Sequence, residues 1–109
     1  MKRILLIAAL LCAGQAHAQT QDQLEKQARR GDYQAQRNLA YSYASPMKGE
    51  KEDKLAACVW YLVVIKSGSD KVDIGDTGNA KVYCSKLERT EQIAADAKSN
   101  ELVRKIYGR

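Results

Sequence analysis

Phenylalanine is absent from this chain, proline and tryptophan occur once each, and the one histidine is His17. Each absence excludes something. His17 lies in a segment that reads as a cleaved leader, and without it there is no Ser-His dyad and no usual zinc site. No apolar run approaches the roughly 20 residues that span a bilayer. No basic cluster exceeds Arg29-Arg30, which argues against a nucleic-acid partner. The cysteines lack the C-x-x-C spacing that tunes a redox-active thiolate. A small domain with no Phe has a thin core and benefits from a covalent staple.

What is present begins with a leader. Lys2 and Arg3 precede the apolar run Ile4 to Cys12, and Ala16-His17-Ala18 closes it. A charged start, a short apolar centre and an A-x-A end describe a secretory signal peptide over residues 1–18. Leu11 before Cys12 is too large for a bacterial lipid-attachment site, so the expected product is soluble, without a stable membrane anchor. Cleavage after Ala18 leaves 91 residues, 19–109, expected to form a single domain. It removes His17 and Cys12, leaves Cys58 and Cys84, and lowers the net charge from +5 to +3 through loss of Lys2 and Arg3. The expected location is the periplasm or the exterior, where two cysteines can be oxidised.

The rest reads as helix. Gln21 to Arg30 is polar with Leu24 and Ala28 at i, i+4 spacing, and Gly31 is placed to end it. Asp32 stands at a helix N-cap position. Tyr33 to Ala44 follows, with Ala35, Leu39, Ala40 and Tyr43 as its buried stripe, and Pro46 stops it. A third helix is predicted from near Glu52. Its Leu55 to Ile65 stretch is apolar throughout, which also suits a buried strand; the preceding DKLAA context favours helix. A helix apolar on all sides has to be covered on most faces. Lys66 to Asn79, rich in Gly, Ser and Asp, reads as a loop. Further helices are predicted over Ala80 to Glu88 and, with Thr90 as N-cap, to Tyr107. In the last, Ile93, Ala94, Ala97, Leu102, Val103 and Ile106 form no single stripe, and Ser99-Asn100 marks an expected irregularity.

Ala28, Gly31, Asp32, Ala35, Gln36, Leu39, Ala40 and Tyr43, followed by Asp53, Ala56, Trp60, Tyr61 and Gly68, resemble the pattern of the Sel-one-like repeat family, a branch of the tetratricopeptide class. The resemblance covers about 40 residues and departs from the family at Ala44 to Gly49 and at Val64-Ile65. It implies an all-α fold: a short α/α solenoid of about five helices with a capping helix at the end. Small residues let paired helices approach, while Leu39, Trp60 and Tyr61 fill the layer between repeats. In such a solenoid Cys58 and Cys84 both face neighbouring helices, so a disulfide between them is expected; the alternative is two buried thiols.

For function, the resemblance implies binding rather than catalysis, with no cofactor and no metal. Tyr33, Arg37 and Tyr41, at i, i+4, i+8, form the candidate partner-binding stripe, since aromatic and Arg side chains concentrate at binding hot spots. The competing reading packs Tyr33 and Tyr41 on the first helix and leaves Arg37 solvated. Asp70, Asp73 and Asp76 recur every third residue, the wrong spacing for a calcium loop, and read as a solvated loop. The expected role is an interaction or scaffold module for an envelope protein or component. The alternative is a homo-oligomer joined through the apolar helix around Trp60, and an envelope enzyme or inhibitor is the remote third.

Overall fold

The computed structural model describes residues 19–109. The leader, its cleavage site, Cys12 and His17 lie outside the described residues. Those described form five helices: α1 (Gln21–Arg29), α2 (Tyr33–Ala44), α3 (Lys54–Lys66), α4 (Ile74–Cys84) and α5 (Arg89–Tyr107). No strand occurs among them, so the all-helical, solenoid-like expectation holds, and Leu55 to Ile65 is helix.

Acidic caps set most of the helix starts. Asp32 Oδ1 accepts the Ala35 N–H at 2.8 Å, and Asp53 Oδ1 accepts that of Ala56 at 2.9 Å. Each satisfies a backbone donor that the first helical turn leaves free. The α1–α2 corner is tighter still. Gly31, at φ +90°, lets its own N–H bond Ala28 O and the Asp32 N–H reach Gln27 O, a Schellman closure of α1. Asp32 therefore finishes one helix and caps the next. A side chain at Gly31 would be strained by that φ, although its Cβ would meet Tyr107 and Ile106 of α5 only at van der Waals contact.

The apolar helix α3 sits at the centre, packed against α2, α4 and α5. Ala57, Cys58, Val59, Trp60, Tyr61, Val63 and Val64 are buried on it. They meet Leu39 and Ala40 of α2, Ala80 of α4, and Ala95, Leu102 and Val103 of α5 in one core. Full burial of a Leu, Val or aromatic side chain contributes about 1.5–3 kcal/mol, so the core stability is concentrated on this helix. The requirement that an all-apolar helix be covered on most faces is met within one chain; Leu55 is its one large apolar side chain left exposed.

The last helix closes the molecule. Lys66, at the end of α3, donates to Asp96 Oδ1, Ser99 Oγ and Asn100 Oδ1 at 2.6–2.9 Å. Ser99 is fully buried and α5 runs unbroken through it, so the expected irregularity is absent: its hydroxyl bonds the Asp96 carbonyl one turn back instead of breaking the helix. Farther on, the Tyr107 hydroxyl accepts from Gln36 Nε2 at 2.9 Å, and Arg109 donates to the carbonyls of Lys66 and Ser67. The end of α5 thus reaches across α3 to the α1–α2 corner.

Three boundaries differ from the sequence reading, one being the fourth helix's end, at Cys84 instead of Glu88. The helix expected at Ala80 begins at Ile74, six residues earlier. Asp73 and Asp76 form a reciprocal capping box, each carboxylate taking the other's backbone N–H, and this starts the helix despite Gly75 and Gly78. Helix α5 starts at Arg89 with Glu88 at the N-cap position, and Glu91 bonds the Glu88 N–H at 3.1 Å; Thr90 lies inside the first turn. No described helix is long and apolar enough to cross a membrane.

Candidate functional site

Helices α2 and α4 lie side by side over α3, from Tyr33 and Asp76 at one end to Ala44 and Tyr83 at the other. Between them runs a groove with two hollows. The first, about 200 Å³, is lined by Gln34, Arg37, Asn38 and Tyr41 of α2, Tyr61 of α3 and Asn79 of α4. The second, about 280 Å³, is lined by Ala44, Glu52, Lys54, Ala57, Tyr83 and Lys86. Tyr61 of one hollow stacks on Tyr83 of the other, ring centroids 5.1 Å apart and planes 14° from parallel, so the walls of the two hollows touch through this aromatic pair. Burial, then the neighbouring Tyr83, pushes the Tyr61 hydroxyl up to about 12.

The proposed stripe divides. Tyr33 and Arg37 do not face outward together; both turn to Asp76 of α4. Asp76 is 1% exposed, far from the solvated loop residue expected of it. The Tyr33 hydroxyl donates to Asp76 Oδ2 and to the Lys71 carbonyl. Arg37 Nε stands 2.8 Å from Asp76 Oδ1, an ion pair without the alignment of a hydrogen bond. The guanidinium also lies 5.4 Å from the Tyr33 ring centroid. The Asp73 N–H completes the carboxylate's partners at 3.1 Å. The physical reason is desolvation: a carboxylate taken from water needs a counter-charge and donors, and α2 supplies both. Burial, and then the bond to Asp76, pushes the Tyr33 hydroxyl up to about 12.

Tyr41 remains, 57% exposed at the groove's rim. Neither it nor Tyr33 is held by a bond to α1; that role belongs to Tyr43, whose hydroxyl donates to Glu25 at 3.2 Å. Burial and then Glu25 push Tyr43 up to about 12 as well. Beside Tyr41, the Asn38 side-chain oxygen accepts from Gln34 Nε2 at 2.9 Å. On its far side Tyr41 also borders an apolar hollow of about 310 Å³ with Leu24, Ser42 and Met47. Tyr41 and Asn38 therefore line this hollow as well as the first hollow of the groove.

Cys58 and Cys84 are joined, as expected for this pair, linking α3 to the end of α4. Cys58 is fully buried and Cys84 half-buried. With Asp76 near its start and the disulfide at its end, α4 is fastened at both ends, while Asp76 and Ala80 are its only buried residues.

The acidic side chains are structural in the main. Asp32, Asp53 and Asp73 cap helices, and no group of His, Cys, Asp and Glu able to hold a metal occurs among the described residues. Ser45 and Lys48 have the Ser-x-x-Lys spacing of some acyl-transfer nucleophiles, but both are exposed and beyond the end of α2, where no helical turn sets the Lys beside the Ser. Among known proteins, no family model, no curated sequence and no solved structure matches this chain.

Proposed function

We propose that this chain is an exported interaction module of the Sel-one-like kind, capturing a protein or envelope component in the groove between α2 and α4. The observation that carries the reading is the groove itself. An exposed tyrosine stands among Gln34, Asn38 and Asn79, over a floor fixed by the Tyr61–Tyr83 stack. Rigid aromatic contact area beside adaptable amide groups suits recognition of another chain. The Cys58–Cys84 bridge is compatible with the oxidising compartment that the leader addresses. With three of the acids spent as caps and no metal-holding cluster among the described residues, binding is favoured over catalysis.

Self-association through α3 has less to draw on, because α2, α4 and α5 already cover that helix. A photo-reactive amino acid at position 41, with a control at exposed Ile93 on α5, tests the reading in intact cells. The expected result is a discrete adduct from position 41 only, lost when Asn38→Ala is added. Equal labelling from both positions, or none from position 41, overturns it; an adduct of two copies of this chain gives the groove to self-association instead.

A further inference from the structure

We infer that the second hollow makes the groove selective for an acidic segment of a partner polypeptide, with a carboxylate side chain seated between Lys54 and Lys86. The inference rests on the reading of the groove as a docking surface and names the chemistry of what docks.

Charge is distributed unevenly along the groove. At the first hollow Arg37 is committed to Asp76, so that end is balanced. At the second, Lys54 and Lys86 share one cleft and neither comes within ion-pair distance of a carboxylate among the described residues, whose pairs all lie elsewhere. Glu52 is the cleft's single acid, so one positive charge is left over. Lys54 is also the first residue of α3. A helix start carries partial positive charge of its own, and a lysine there works against the helix. Asp53 already caps that helix start, so what an incoming carboxylate would relieve is the charge surplus of the two lysines.

Shape agrees with charge. Ala44 and Ala57 form a floor of small side chains, so an approaching chain can sit low. Tyr83 supplies a wall, and Lys86 Nζ lies 4.6 Å from its ring centroid, which holds the ammonium at the cleft rather than out in solvent. The methylenes of Glu or Asp would rest on the ring while the oxygens meet the two ammonium groups. From there the partner's chain continues past the Tyr61–Tyr83 stack to Tyr41.

The test is fluorescence anisotropy on the oxidised protein with two labelled peptides, one alternating glutamate and leucine, the other glutamine and leucine. Two exposed ion pairs predict about fivefold tighter binding of the glutamate peptide at low salt, with the preference lost at high salt. Lys54→Gln or Lys86→Gln should each remove about half of that preference on a logarithmic scale. Lys48→Gln, on the exposed loop, should change neither peptide's binding. Equal binding of the two peptides, or a preference that survives both lysine variants, overturns the inference. If the glutamine peptide still binds and Tyr41→Ala releases it, the groove stands and only the acidic selectivity falls. If neither peptide binds, both readings fall. Competition by inorganic phosphate with the same lysine dependence assigns a general anion site and overturns the polypeptide assignment.

Discussion

Reducing the Cys58–Cys84 bridge removes one of the two fastenings of α4, and its effect can be worked from chain length. The cysteines are 26 residues apart. In the chain-entropy account, closing a loop of that size removes enough freedom from the unfolded state to stabilise the fold by about 3.5 kcal/mol at 25 °C. For a domain this small the urea dependence is about 1 kcal/mol per molar, so the unfolding midpoint should fall by about 3 M urea on reduction. The assay is urea denaturation followed by far-UV circular dichroism, with oxidised and reduced protein side by side. Cys58→Ala/Cys84→Ala serves as the variant, since serine would bury a hydroxyl at the fully buried position 58. Hydrogen exchange on the reduced protein should show α4 losing protection first, because it buries so little of its own, while α2 and α3 keep theirs. A reduced midpoint within about 0.5 M of the oxidised one would refute the reasoning. So would uniform loss of protection across the helices.

Two further outcomes follow from the buried polar groups. Asp76→Asn keeps the shape but abandons Arg37. Breaking a buried pair costs 3–5 kcal/mol, and Arg37 is one-third exposed, so about 2 kcal/mol is expected. Adding Arg37→Met to Asp76→Asn should cost less than the two changes summed, and strict additivity in urea titrations would show that the ion pair carries no coupling. Tyr33, Tyr43 and Tyr61 are held at about 12 in the fold against 10.0 when free. The folded state therefore keeps protons that the unfolded state releases. The associated stability is complete below pH 10 and drains away as pH rises from 10 to 12. A spectrophotometric titration should show a late phenolate phase accompanied by unfolding; all six tyrosines ionising together near pH 10 in a folded protein would contradict it.

Most of the helical frame can be read along the chain because its causes are local. Gly31-Asp32 and Asp53 are caps whose partners lie within one turn, and the Leu55–Ile65 run requires cover wherever it sits. The start of α4 was hidden by Gly75 and Gly78, which weaken a helix by about 1 kcal/mol each relative to alanine. The Asp73-x-x-Asp76 spacing was the available signal for a cap. The way the candidate stripe divides was hidden for a different reason. Tyr33, Arg37 and Tyr41 do share a helix face, but Asp76 lies 43 residues from Tyr33, and no periodicity on α2 announces a buried carboxylate on α4. The disulfide was legible because the leader expected from the sequence implies an oxidising compartment, where two cysteines can pair; the lysine-rimmed hollow was not, since Lys54 and Lys86 become neighbours only when α3 and α4 fold together.

The length of α2 sets a limit on what the groove can read. Its 12 residues span about 18 Å at 1.5 Å each. A polypeptide in extended form covers that distance with about five residues. One copy therefore scans a very short word, and short words occur in many proteins. On the proposed docking reading, discrimination would then have to come from geometry beyond the groove: several words along one partner, or a tether that raises the local concentration toward millimolar. A docking module of this size, as proposed, would be suited to counting and clustering its targets more than to naming each one.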